Sequence, residues 1–164
     1  MHRIVPYAFL VIVWLTGISM AQSPAAHAPL RVGIVGLVHG HVHGFLEQSR
    51  HSPEIDIVGI AEPDRQLLSQ AGVKYGFEPS QLFTDLVDMI AKTHPQAVLV
   101  YTNTYDHRRV VEICARHGVH VMMEKPLAVS LKDARAIEKA AHAGNIHVLV
   151  NYEPGPFDLP VCFL

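Results

Sequence analysis

From Leu30 onward, short unbroken apolar runs alternate with longer stretches in which apolar residues return every three or four positions. The runs are "LRVGIVG", "IDIVGIAE" (Ile55 to Glu62), "QAVLVYT" (Gln96 to Thr102), "VHVMMEKP" and "IHVLVNYE". Each is strand-length and lacks a polar face, the pattern of a strand buried on both sides. Helical spacing fills the gaps. It covers about His43 to Ser49, closed by Pro53, and Asp64 to Tyr75 with Leu67, Leu68 and Ala71 in phase. Within "FTDLVDMIAKT" the residues Leu86, Val87, Ile90 and Ala91 form a face that ends before Pro95. Asp106 stands as N-cap of a helix carrying Val110, Ile113, Cys114 and His117 and stopping at Gly118. Ser130 and Asp133 have capping-box spacing ahead of a helix closed at Gly144. Five strands alternating with helices predict an α/β fold, a single doubly wound domain over residues 31–152 with a mostly parallel sheet.

A chain of 164 residues has room for one such domain plus appendages. A hydrophobic content of 49% and a net charge of −2 exclude a disordered chain, and no lysine–arginine block offers a footprint for nucleic acid. Twelve histidines make the real charge sensitive to mildly acidic pH. Cys114 and Cys162 match no zinc or redox spacing; Cys114 sits in an apolar helical pattern that favours a buried free thiol over a disulfide. The start of the chain reads differently. A basic Arg3, an apolar run from Ile4 to about Met20, and small residues Ser19 and Ala21 resemble a Sec-type signal peptide over residues 1–21, with cleavage after Ala21. An uncleaved membrane anchor is the lesser alternative. Residues 22–30 read as a linker, and residues 153–164, "EPGPFDLPVCFL", as a ragged tail. A secreted or periplasmic protein is the expectation.

The chemistry concentrates after the first strand, in "GIVGLVHGHVHGF" (Gly33 to Phe45). Ligands of doubly wound sheets bind outside the carboxyl ends of the strands, and glycines there let backbone amides and a helix N-terminus approach a phosphate. The pattern is G-x-x-x-G from Gly36 to Gly40, with Val38 and His41 where the usual G-x-G-x-x-G fingerprint has its second and third glycines. Glu62, ending the second strand, is placed to accept hydrogen bonds from an adenosine ribose and to repel a 2′-phosphate, favouring NAD over NADP; a solvated turn carboxylate is the bland alternative. A second reading makes His39, His41 and His43 ligands of a metal-dependent hydrolase or metal-binding protein, since imidazoles at alternate positions can face one cation. Against it, later strand ends offer Asn103, Glu124 and Asn151 in place of more histidine.

Two further strand ends settle the direction. "TNTYDH" (Thr102 to His107) follows one strand, and "EKP" (Glu124 to Pro126) follows the next. With "RVGIVG" upstream and "PLAVSLKDARAIEKAA" downstream, these resemble the Gfo/Idh/MocA family of NAD(P)-dependent oxidoreductases from about Arg31 to Tyr152. That resemblance implies a Rossmann-like domain and a dinucleotide cofactor. Gly36, Val38, Gly40 and His41 would lie along the pyrophosphate loop, and Glu62 at the adenosine ribose. Thr102, Asn103 and His107 would line the nicotinamide half, with Glu124 at the nicotinamide ribose. Lys125 would stand between nicotinamide and substrate as the catalytic group, transferring a proton as a sugar or polyol hydroxyl loses hydride. Asn103 replaces the family's usual proline. The resemblance also implies a second, substrate-binding domain with no counterpart here, hence little turnover by this chain alone, and a gene fragment is a further possibility. Export adds a physical difficulty, because free NAD is scarce outside the cytoplasm.

Overall fold

The structure is a computed structural model that describes residues 28–49 and 51–152. The expected signal peptide, its cleavage point, most of the linker and the tail with Cys162 lie outside the described residues. Leu30, assigned to the linker, already belongs to the first strand.

The strands are β1 (Leu30–Val35), β2 (Ile55–Ala61), β3 (Leu82–Phe83), β4 (Ala97–Val100), β5 (His120–Glu124) and β6 (Val148–Asn151). The helices are α1 (His41–Ser49), α2 (Arg65–Tyr75), α3 (Leu86–Thr93), α4 (His107–Arg116) and α5 (Leu131–Gly144). All neighbouring strands are parallel, in the order β3-β2-β1-β4-β5-β6. The order reverses at β1, so the crevice between the carboxyl ends of β1 and β4 is the ligand position of this architecture.

Burial divides into two clusters, one on each face of the sheet. Val32 and Ile34 of β1, with Leu99 and Tyr101, pack on Val42 and Leu46 of α1 and Leu68, Ala71 and Tyr75 of α2. Val35, Val98, Val100, Val121 and Met123 pack on α3, α4 and α5 through residues such as Met89, Val111, Cys114 and Ile137. Gly33 belongs to this second packing: a Cβ there would stand 2.5 Å from Met89 Cε. Its glycine makes room for a helix, not for a phosphate. Met122 and Leu149, on the other face of β5 and β6, remain 37% and 41% exposed.

Several details correct the expectations from sequence. The sheet has six strands, not five; β3 is a two-residue edge strand hidden in what reads as the approach to a helix. Helix α1 starts at His41, two residues early. In α3 the buried residues are Leu86, Met89 and Ile90, while Val87 and Ala91 face outward. Asp106 stands at the α4 N-cap position but caps nothing, because its carboxylate accepts from Asn103 Nδ2 at 2.6 Å. Ser130 does cap α5, accepting from Asp133 N at 3.1 Å, and the left-handed closing residue is Asn145, not Gly144. Among the described residues no helix is long and apolar enough to cross a membrane.

Candidate functional site

The site begins with the turn after β1. Gly36 has φ +81°, and a Cβ there would lie 2.7 Å from both Thr102 N and Thr102 Cγ2. The turn is pressed against the end of β4 so closely that only glycine fits. It is tied from the other side by β2: Gly36 N donates to Ala61 O at 2.9 Å, and Leu37 N donates to Glu62 Oε2 at 2.8 Å. Glu62 Oε1 accepts from Asp64 N at 2.9 Å, where Asp64 in turn caps α2. Glu62 is 5% exposed, which overturns the solvated-turn reading. Each of its oxygens retains a second lone pair, and the side chain lines a cavity of about 420 Å³. Gly36, Val38, Asn103, Asp85 and Arg109 line the same cavity. It opens above the carboxyl ends of β1, β2 and β4.

The N-terminus of α1 closes the turn. Its first turn holds no acidic residue; Val42 N is bonded to His39 O at 3.1 Å, while His41 N reaches His39 Nδ1 and His43 N reaches Gly40 O only at 3.4 Å. Long bonds of this kind leave the helix N-terminus available to an anion. Gly40 lines neither this cavity nor the adjoining one beside Glu124, and a Cβ there would meet nothing within 4 Å. Val38 is 60% exposed at the rim.

The three histidines part company. The His43 ring leaves for α2, with Nδ1 2.7 Å from Tyr75 Oη. His41 turns across the cleft to β5, with Nδ1 3.1 Å from Glu124 Oε1. His39 stays beside His41, ring centroids 4.7 Å apart. The expected His39/His41/His43 ligand set therefore does not assemble, because Tyr75 holds its third member.

The second lobe, about 320 Å³, is lined by His39, Thr102, Asn103, His107, Glu124 and Lys125 among others. Thr102 and Asn103 thus border both lobes. Glu124 closes β5 and is 2% exposed. Its Oε1 also accepts from Asn151 Nδ2 at 3.0 Å, while Oε2 is buried with no partner among the described residues. Burial pushes the Glu124 carboxyl up, but the bonds from Asn151 and His41 and the charges of His41 and His39 outweigh it and hold the carboxyl below its ordinary value. The same carboxylate and, more strongly, burial push Tyr101 up to about 12. His107, 1% exposed, donates from Nδ1 to Leu127 O at 3.3 Å. That carbonyl can only accept, so the proton sits on Nδ1 and the buried Nε2 presents a bare lone pair without a partner. Burial holds His107 below the ordinary histidine value, despite the carbonyls of Leu127 and Pro126. Lys125 is exposed and enters none of the ion pairs among the described residues.

The structure thus gathers Gly36, Val38, Glu62, Thr102 and Asn103 at one lobe and His107, Glu124 and Lys125 at the other, with His41 joined through Glu124. Sequence reading missed Asn151 as a partner of that carboxylate. The signal existed in register: Asn151 lies directly opposite Glu124 at the ends of two parallel strands. It also missed Arg109 and Asp85, whose chain positions say nothing about a shared cavity.

Residues 30–152 match the sequence profile of the Gfo/Idh/MocA family, described as an oxidoreductase family with an NAD-binding Rossmann fold. Among curated relatives, the chain is 30% identical over 111 residues to a D-apiose dehydrogenase of Paraburkholderia graminis, covering 68% of this chain and 28% of the relative. It is 30% identical over 116 residues to a myo-inositol 2-dehydrogenase of Thermotoga maritima, covering 70% of this chain and 34% of that one. Among solved structures it is similar, with a TM-score of 0.67 and 25% identity, to an oxidoreductase from Agrobacterium radiobacter in complex with NAD+, L-tartaric acid and magnesium. That likeness covers 74% of this chain and 34% of the solved one, so the chain spans about a third of the length of such relatives. The metal-hydrolase reading gives way on both geometry and kinship: this chain belongs to the Gfo/Idh/MocA oxidoreductase family and carries its NAD-binding Rossmann domain.

Proposed function

We propose that the chain binds NAD across the two lobes and supplies the cofactor half of a site that oxidises a sugar or polyol hydroxyl. The observation that carries this is Glu124: a buried carboxylate with one bare oxygen, next to Lys125, at the carboxyl end of β5. A buried acceptor without a donor is costly unless a ligand supplies one, and ribose hydroxyls are donors of that kind. The residues fit the cofactor's parts. The Gly36 turn and the α1 N-terminus suit a pyrophosphate, the Glu62 carboxylate an adenosine ribose, and Thr102, Asn103 and His107 border the nicotinamide half. Bound NAD supplies the hydride acceptor. The chain's own contribution is to hold the dinucleotide, to exclude water at the buried Glu124, and to offer Lys125 Nζ for proton transfer with the substrate hydroxyl.

Glu62 supports NAD over NADP, since a buried carboxylate at that position repels a 2′-phosphate. Titrating the full chain with NADH and with NADPH, followed by cofactor fluorescence, tests both statements. Saturable binding of NADH, weak and tighter than that of NADPH, is expected. No saturation at millimolar NADH would refute the cofactor assignment, and equal affinities would refute the preference. D-apiose and myo-inositol are the substrate types named for the relatives, which supports a polyhydroxylated substrate here.

We further propose that residues 1–21 direct export by a Sec-type route, supported by the basic start, the apolar run and the Ser19–Ala21 exit. Cell fractionation with N-terminal sequencing is the check. A mature chain beginning at Gln22 outside the cytoplasm is expected; an intact chain in the cytoplasm would contradict it.

A further inference from the structure

Beyond the dinucleotide, we propose that His39, His41 and Glu124 form a binding site for one divalent cation of the zinc type. One ligand atom from each of the three residues lies within 4.8 Å of the others. His41 Nδ1 and Glu124 Oε1 stand 3.1 Å apart, close to the ~3.4 Å that separates two donors bonded at ~2.1 Å to a tetrahedral zinc. Two imidazoles and a carboxylate are the donor set of three-ligand zinc sites that leave a fourth position to water. The two rings already stand side by side, centroids 4.7 Å apart.

The bare oxygen of Glu124, which a ribose hydroxyl would meet with NAD bound, is open to a cation when NAD is absent. The Glu124 side chain is 3% exposed, yet its Oε2 has no partner among the described residues. That oxygen offers a cation a carboxylate donor with its lone pairs free. Asn151 Nδ2, at 3.0 Å from Oε1, already supplies the outer hydrogen bond that orients a ligating carboxylate. This ligand set differs from an all-histidine one: His43 is committed to Tyr75, and a buried acid on another strand replaces it. No hydrolysis is implied. Because the cation would occupy Glu124, it would exclude the dinucleotide, a consequence that rests on the function proposed above.

Calorimetric titration of the full, untagged chain with zinc chloride tests the site. One equivalent should bind, with affinity reduced on the order of tenfold or more in H41A and in E124Q, and unchanged in H43A. His41 is exposed and E124Q is isosteric, so both variants should fold; a thermal melt of each confirms it. Absence of a one-equivalent event, or binding equal in H41A, E124Q and the parent, overturns the proposal. Adding NADH to the zinc-loaded chain should displace the metal. Zinc retained at saturating NADH overturns the exclusion. If NADH fails to bind the metal-free chain, the cofactor assignment fails while the zinc stoichiometry still decides the metal site.

Discussion

Single residues of the site have neighbours that leave them little freedom. Replacing Gly36 by alanine forces a side chain into the Thr102 backbone at φ +81°. We expect G36A to lose about 2 kcal/mol of stability and most of its NADH binding, read by urea denaturation and fluorescence titration. G40A, in open space, should leave stability nearly unchanged. Glu62 holds two backbone amides, Leu37 N of the cofactor turn and Asp64 N ahead of α2. E62A should therefore cost about 1–3 kcal/mol through the orphaned amides, in addition to weakening any preference for NAD. A stability unchanged in urea would show that the carboxylate does not brace the turn. The residue types at Gly36, Glu62, Glu124 and Lys125 were legible because each closes an apolar run. The split of the histidines was not: His43 and His41 differ by two residues, and only the helical rotation beginning at His41 sends one to Tyr75 and the other to Glu124.

At the scale of elements, α4 carries two buried groups whose ionisation is set by packing. Cys114 is fully buried, and that burial pushes its thiol up to about 12. Cys114 should resist a thiol reagent in the native chain and react once urea unfolds it; mapping of labelled peptides distinguishes it from Cys162. His107 is held below its ordinary value of 6.5 by burial. As pH falls through 6.5, the unfolded chain takes up a proton here that the folded chain refuses until a lower pH. Stability contributed by this site is thus intact above that value and falls as pH falls toward the folded value. The thermal midpoint should drop from about pH 7.5 to about pH 5 more steeply in the parent than in H107Q; identical slopes would contradict a neutral buried imidazole. The long helices and the buried strands were readable from periodicity. The two-residue β3 was not, since its pairing with Ile60 and Ala61 is set by β2 and leaves no local pattern. Helix α3 misled because Val87 and Ala91 extend an apolar face that the sheet does not use, while Met89 fills the space left at Gly33.

At the scale of the whole molecule, alternation of strands and helices foretold a doubly wound sheet, but not its order. The sequence of strands from β3 to β6 depends on which face each crossover takes, and that is decided by packing between distant residues. The order matters because it opens the crevice at β1 and β4 and makes Thr102 and Asn103 common walls of both lobes. Asn151 joins the site only through the β5–β6 pairing. Binding of a dinucleotide in this crevice is what gives the molecule its proposed role. It is tested most directly by backbone amide chemical shifts of the full, isotope-labelled chain as NADH is added. Perturbations should gather at Gly36–His43, Glu62, Thr102–His107 and Glu124–Lys125. Perturbations confined to α5 and β6, or none at millimolar NADH, would contradict it.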